Sequence, residues 1–141
     1  MKRAVLAMRI QLAARRDALE AARQAMLEML RPLEPTPRLV YRAELVLEEV
    51  LMNVVMHAYP QGDEQGMAVE VDSAPGEIVL RFEDHGIPFD PSTAAPPIAV
   101  HDIAQAQVGG LGVSLVKRFA KSLSYERRDG MNRLRVSLAR D

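Results

Sequence analysis

Glu48-Glu-Val-Leu-Met-Asn-Val-Val-Met-His-Ala-Tyr59 is the stretch on which the reading of this chain turns. Glu49, Asn53 and His57 fall four residues apart, a spacing that on an α-helix stacks a carboxylate, an amide and an imidazole on one face. Val50, Leu51, Val54, Val55 and Ala58 fill most of the remaining circumference, so the helix is expected to be largely buried. Polar groups in such a setting need partners, which a polar ligand or a metal ion would supply. The same spacing also describes an ordinary solvated stripe on an amphipathic helix. Two further polar, glycine-containing clusters downstream tilt the balance toward a ligand.

On the N-terminal side the helical pattern reaches back to about Arg38, where Pro32-Leu-Glu-Pro-Thr-Pro37 interrupts it, because proline cannot continue a helix interior. An earlier helix is expected from about Ala14 to Leu30, with Leu19, Ala22, Met26 and Leu30 on one face. Before it, Met8, Ile10 and Leu12 alternate with Ala7, Arg9 and Gln11, as in a half-buried strand. On the C-terminal side, Tyr59 to Gly66 reads as a polar turn. Strands are expected over Met67 to Asp72 and Glu77 to Glu83, joined at Ser73-Ala-Pro-Gly76. Ile78, Leu80 and Phe82 alternate there with Val79, Arg81 and Glu83, which gives one packed face.

A stretch of low charge then runs to Val108, carrying Pro91, Pro96 and Pro97 and no clear period. So long a connection inside a compact domain usually serves as a functional lid or a linker. A helix follows over about Leu111 to Ala120. Ser122 to Arg128 and Asn132 to Ala139 close the chain as a hairpin around Asp129-Gly130, a favoured turn pair. This order predicts a two-layer α/β sandwich of the α+β kind, with a mixed, mostly antiparallel sheet covered on one face by three helices. A doubly wound sheet is not expected.

With 141 residues the chain is expected to form a single domain over 1–141 with a real core. A formal net charge of -1 makes no global electrostatic case for nucleic acid. Three Phe, three Tyr and no Trp, without a basic run beside them, give little support to base stacking. The lack of cysteine removes disulfides, thiolate zinc sites and cysteine nucleophiles together. Met-Lys-Arg at the start is followed by an apolar run broken by Arg9 and Gln11, too short for a signal peptide or a membrane span. A soluble, cytoplasmic protein that binds neither nucleic acid nor membrane is the expectation.

Three clusters carry the chemistry. Gly109-Gly-Leu-Gly112 opens a helix, where unpaired N–H groups and the positive end of the dipole favour an anion, although a simple tight turn uses the same residues. No Gly-Lys-Ser/Thr follows, so it is not a Walker loop. Asp84, at a strand end, could accept from an exocyclic amine or could merely initiate the Asp84-His-Gly86 turn. Asn53 offers an amide oxygen suited to magnesium, and Glu49 a carboxylate that could take a proton from a nucleophile attacking a phosphate.

Glu49-x-x-x-Asn53-x-x-x-His57-Ala-Tyr, Asp84-x-Gly86-x-Pro88-Phe89 and Gly109-Gly-x-Gly112-x-x-Leu115 together resemble the N, G1 and G2 boxes of the GHKL ATPases. The His-Ala-Tyr ending, the Asp-x-Gly-x-Pro-Phe form and the short chain are most similar to the anti-sigma-factor serine/threonine kinases of that superfamily. The resemblance implies a Bergerat ATP-binding fold with an ATP lid over about 89–108. It implies that Asn53 holds Mg2+, Glu49 is the catalytic base and Asp84 binds the adenine amino group of ATP. Gly86 would shape the adenine pocket, and Gly109, Gly110 and Gly112 would cradle the phosphates. Pro88 and Leu111 fall within the same boxes, His57 would lie near phosphate, and Asn132 of the last hairpin would sit on the adenine side.

The implied reaction is transfer of the γ-phosphate to a serine of a STAS-domain anti-sigma-factor antagonist, with a sigma factor as the competing partner and a homodimer as the working form. The lid departs from what phosphoryl transfer usually favours, a cation near the γ-phosphate. Between Phe89 and Val108 there is no Lys or Arg, only His101; Lys117 and Arg118 lie beyond the glycines. That departure motivates the alternative, a nucleotide-gated module that sequesters a partner without significant phosphotransfer.

Overall fold

The computed structural model describes residues 8–58, 66–88, 116 and 118–140. Five strands, β1 (Met8–Leu12), β2 (Met67–Ala74), β3 (Glu77–Asp84), β4 (Ser122–Arg128) and β5 (Met131–Ala139), form one sheet in the order β1-β2-β3-β5-β4. Every pairing is antiparallel, so the expected mostly antiparallel sheet contains no parallel pair among the described residues. The helices are α1 (Leu19–Leu30) and α2 (Pro37–Asn53).

Two expectations need correction. Three covering helices were expected, and two are described. For the third, about Leu111 to Ala120, residues 116, 118 and 119 are helical and Ala120 N donates to Val116 O at 2.9 Å, while 111–115 and 117 lie outside the described residues. The second concerns the single helix from Arg38 to His57. The α-helix ends at Asn53 and passes into a π-helical turn, Val54–Ala58. Because that turn closes i→i+5 bonds, four residues no longer complete a full revolution. Hydrophobic periodicity cannot register this change, since Val54 and Val55 suit either turn.

Local chemistry explains the remaining boundaries. Thr36 caps α2, its Oγ1 accepting from Leu39 N at 3.1 Å, and Pro37 sits at the first helical position where its missing N–H costs nothing. Asp129 (φ 54°) and Gly130 (φ 75°) both lie in the left-handed region, the conformation of a type I′ hairpin turn. Gly66 (φ +77°) precedes β2 so close to β1 that a Cβ there would lie 2.5 Å from the Leu12 carbonyl oxygen. Only glycine fits both the angle and the approach.

The pairing register lines up Ile10, Val69, Phe82, Leu134 and Tyr125 in one row across the sheet, and Val71, Leu80, Val136 and Leu123 in another. These rows face the helices. Met26, Leu30, Leu39, Val46, Leu47 and Leu51 are fully buried against them. Burial at about 25 cal/mol per Å² of apolar surface is the main force holding the two layers together. Arg23, which donates to Glu44 at 3.0 Å, ties α1 to α2. The opposite face is charged: Arg9 pairs with Glu70 at 2.8 Å and Glu83 at 3.0 Å, and Arg81 with Asp72 at 3.1 Å. Partly exposed pairs of this kind contribute little to stability.

Candidate functional site

The next row of the same inward face is different in kind. Leu12, Met67, Asp84, Asn132 and Arg127 are register neighbours, so the apolar face ends on a carboxylate, an amide and a guanidinium. Asp84 closes β3 and is only 7% exposed; Asn132 on β5 is 5% exposed. Buried polar groups require partners, and these supply one another. Asp84 Oδ1 accepts from Asn132 Nδ2 at 2.8 Å and from Gly86 N at 2.8 Å. The second bond pins the turn that leaves the strand, so that Asp84-His-Gly86 does initiate a turn and the Asp84 side chain is also part of the buried cluster.

Asn132 Nδ2 donates in addition to Ile87 O at 2.8 Å, and Asn132 Oδ1 accepts from the Tyr125 hydroxyl at 2.5 Å. Arg127 Nη1 donates to Gly86 O at 2.6 Å. The structure thus brings Asp84, Gly86 and Asn132 together, and Pro88 follows, exposed, at the edge of the described residues. Tyr125 and Arg127 belong to the same cluster, although nothing in their own sequence neighbourhood singles them out. The Asp129-Gly130 turn was the available signal: it sets Arg127 opposite Asn132, which leaves Tyr125 diagonal to Asn132 on the same face.

The second cluster lies on α2. Asn53 is 5% exposed at the last α-helical position. One turn earlier, Glu49 is half-buried and its Oε1 is enclosed without a hydrogen-bond partner among the described residues. Burial pushes the Glu49 carboxyl above the ordinary carboxylate range, and the neighbouring Glu48 charge pushes it the same way. A carboxylate with raised proton affinity is a better proton acceptor than an ordinary one. An orphaned buried oxygen one turn from a buried amide also fits a site completed by a hydrated cation or a bound water. Among the described residues no group of three or more His, Asp or Glu could hold a metal by itself. Magnesium, which keeps several waters and takes few protein ligands, does not need one.

Arg42 of α2 stacks over the Phe119 ring at 5.7 Å, fastening the described end of the third helical segment to α2. Gly109, Gly110, Leu111 and Gly112, the lid over about 89–108 and the His57 side chain lie outside the described residues. No described helix is long and apolar enough to cross a membrane.

Comparison with known proteins identifies the family and the fold. Residues 12–138 match the family described as the histidine kinase-like ATPase domain. The serine/threonine-protein kinase BtrW of Bordetella bronchiseptica is 34% identical over 100 residues, which cover 71% of this chain and 70% of that protein. Among solved structures, the SiaB–SiaC complex from Pseudomonas aeruginosa contains a chain of the same fold. It superposes with a TM-score of 0.65 at 17% identity, covering 93% of this chain and 88% of that one.

Proposed function

Because the chain belongs to the histidine kinase-like ATPase domain family, we propose that it is a magnesium-ATP-dependent protein serine kinase that works as a partner-switching regulator. The observation that carries the reading is Glu49 Oε1, enclosed without a partner among the described residues one helical turn from the buried Asn53. In this reading the whole of 1–141 is one ATPase domain whose lid spans about 89–108. Asp84 accepts from the adenine amino group through Oδ2, the oxygen that takes neither of the bonds described above. Gly86 and Pro88 line the base, and Gly109, Gly110, Leu111 and Gly112 receive the phosphates, with His57 near them.

Asn53 would hold Mg2+ through its amide oxygen, and the bound ion would neutralise charge on the phosphates. Glu49 takes the proton of the attacking serine hydroxyl, a role its raised carboxyl suits. The acceptor is a serine of a STAS-domain anti-sigma-factor antagonist, with a sigma factor competing for a kinase homodimer. That BtrW is named a serine/threonine-protein kinase supports the reaction, and that the similar fold was solved as a complex supports a protein partner.

The test is transfer of label from γ-labelled Mg-ATP to a STAS-domain protein, comparing native chain with Glu49→Gln. Native transfer, reduced about 10²- to 10⁴-fold by the substitution with ATP binding retained, is the expected result. A second reading, nucleotide-gated sequestration without transfer, is favoured by the absence of Lys and Arg between Phe89 and Val108. It predicts no label on the partner and identical partner binding by native and Glu49→Gln protein.

A further inference from the structure

The hydroxyl of Tyr125 is half-buried on β4 and donates to Asn132 Oδ1 at 2.5 Å, while the other end of that amide donates to Asp84 Oδ1 and Ile87 O, both at 2.8 Å. Three partners therefore agree on one orientation of the Asn132 amide. Reversing it would turn the amide oxygen onto a carboxylate oxygen and a carbonyl oxygen, a pairing of acceptors with acceptors. With Gly86 N as well, both described bonds to the Asp84 carboxylate fall on Oδ1. The carboxylate is thereby fixed by one oxygen with the other left to the ligand.

Resting on the nucleotide reading above, we infer that Tyr125 is a positioning residue for base recognition, acting through Asn132 to aim the Asp84 carboxylate at a purine that carries an exocyclic amine. Arg127, which donates to Gly86 O at 2.6 Å, holds the turn whose Gly86 N bonds that carboxylate. The device is spread over three strands: Tyr125 on β4, Asn132 on β5 and Asp84 on β3 meet because of register, not sequence proximity. Networks of this kind aim a group more firmly than any one bond would. The specificity that follows is for the amino group, and the triphosphate should be indifferent to it.

The experiment is a calorimetric titration of native and Tyr125→Phe protein with two magnesium-loaded ligands, ATP and purine riboside 5′-triphosphate, which differ only in the 6-amino group. Loss of one net hydrogen bond predicts that Tyr125→Phe weakens ATP about threefold to tenfold and the amine-free ligand less than about twofold, so that discrimination narrows. Equal losses for both ligands would make Tyr125 a merely structural residue and overturn the inference while leaving the nucleotide reading intact. Native protein that binds neither ligand overturns the nucleotide reading itself. Should Tyr125→Phe not fold, the native protein decides. Its Asn132 side-chain amide protons should exchange slowly and shift with ATP but not with the amine-free ligand, and a fast-exchanging amide that ignores both would sink the idea.

Discussion

On the sheet, Asp84, Gly86 and Asn132 are bonded to one another and to Tyr125 and Arg127, with buried polar atoms satisfied by neighbours. On α2, an oxygen of Glu49 is enclosed with no partner among the described residues. The first cluster is held by bonds among its own members, which fix its shape. The second carries an unmet demand that burial makes expensive, and which a bound reactant would relieve. On the proposed reading, the contrast divides the molecule into one region that recognises and another that reacts. Recognition gains from a rigid acceptor, whereas chemistry gains from a carboxylate held away from its ordinary proton affinity.

The largest test of this contrast is Asp84→Ala. It removes the acceptor shared by Gly86 N and Asn132 Nδ2 and, on the proposed reading, the contact to the base. Losing a hydrogen bond to a charged group should weaken ATP binding by roughly 10- to 100-fold in titration calorimetry. The thermal midpoint should fall too, since a satisfied cluster has been broken. An unchanged midpoint would mean that the sheet cluster is not a rigid element of the fold.

Glu49→Gln probes the other region and should move stability in the opposite direction. The Glu49 carboxyl is raised by burial and by Glu48, so folding disfavours its charged form. Its unfavourable contribution is absent below the ordinary carboxylate range and grows as pH rises through the raised folded value. The variant should therefore melt above the native protein at neutral pH, with the difference vanishing as the solution is acidified below that range. A native protein that is the more stable of the two at neutral pH would show that Glu49 already has a partner.

The smallest effect is expected from Thr36→Ala at the far end of α2. Loss of the cap to Leu39 N should cost about 1 kcal/mol in denaturant unfolding. Nucleotide affinity should not change, because the cap supports the helix and touches neither cluster.

Sequence reasoning reached the two regions unequally. Glu49 and Asn53 were legible because helical spacing is local: four residues are one turn wherever the helix sits. The hairpin around Asp129-Gly130 was legible for the same reason, its turn residues dictating both conformation and register. The partnership of Asp84 with Asn132 was not. It depends on the register of β3 against β5, which are far apart in sequence and joined by no tight turn that would fix their alignment. Once that register is known, the place of Tyr125 follows from the hairpin. The π-helical turn after Asn53 escaped because apolar residues read alike in both kinds of turn. The motif glycines at 109, 110 and 112 were prominent in the sequence and remain part of the proposal.

The pairing of β3 with β5 also carries a consequence for how the chain folds. The β4–β5 hairpin closes over two residues, a microsecond event for an isolated hairpin, whereas joining Asp84 to Asn132 means closing a span of 48 residues. Closure entropy of that size must be met before any contact rewards it, so the Asp84–Asn132 end of the sheet is expected to assemble after the rate-limiting step. Asn132→Ala should then hasten unfolding and leave refolding nearly unchanged in stopped-flow measurements. A slowed refolding limb would instead place this long-range pair in the nucleus. If assembly is late, the Asp84–Asn132 end, to which the proposed reading gives nucleotide discrimination, is also the part of the sheet that a destabilised chain gives up first.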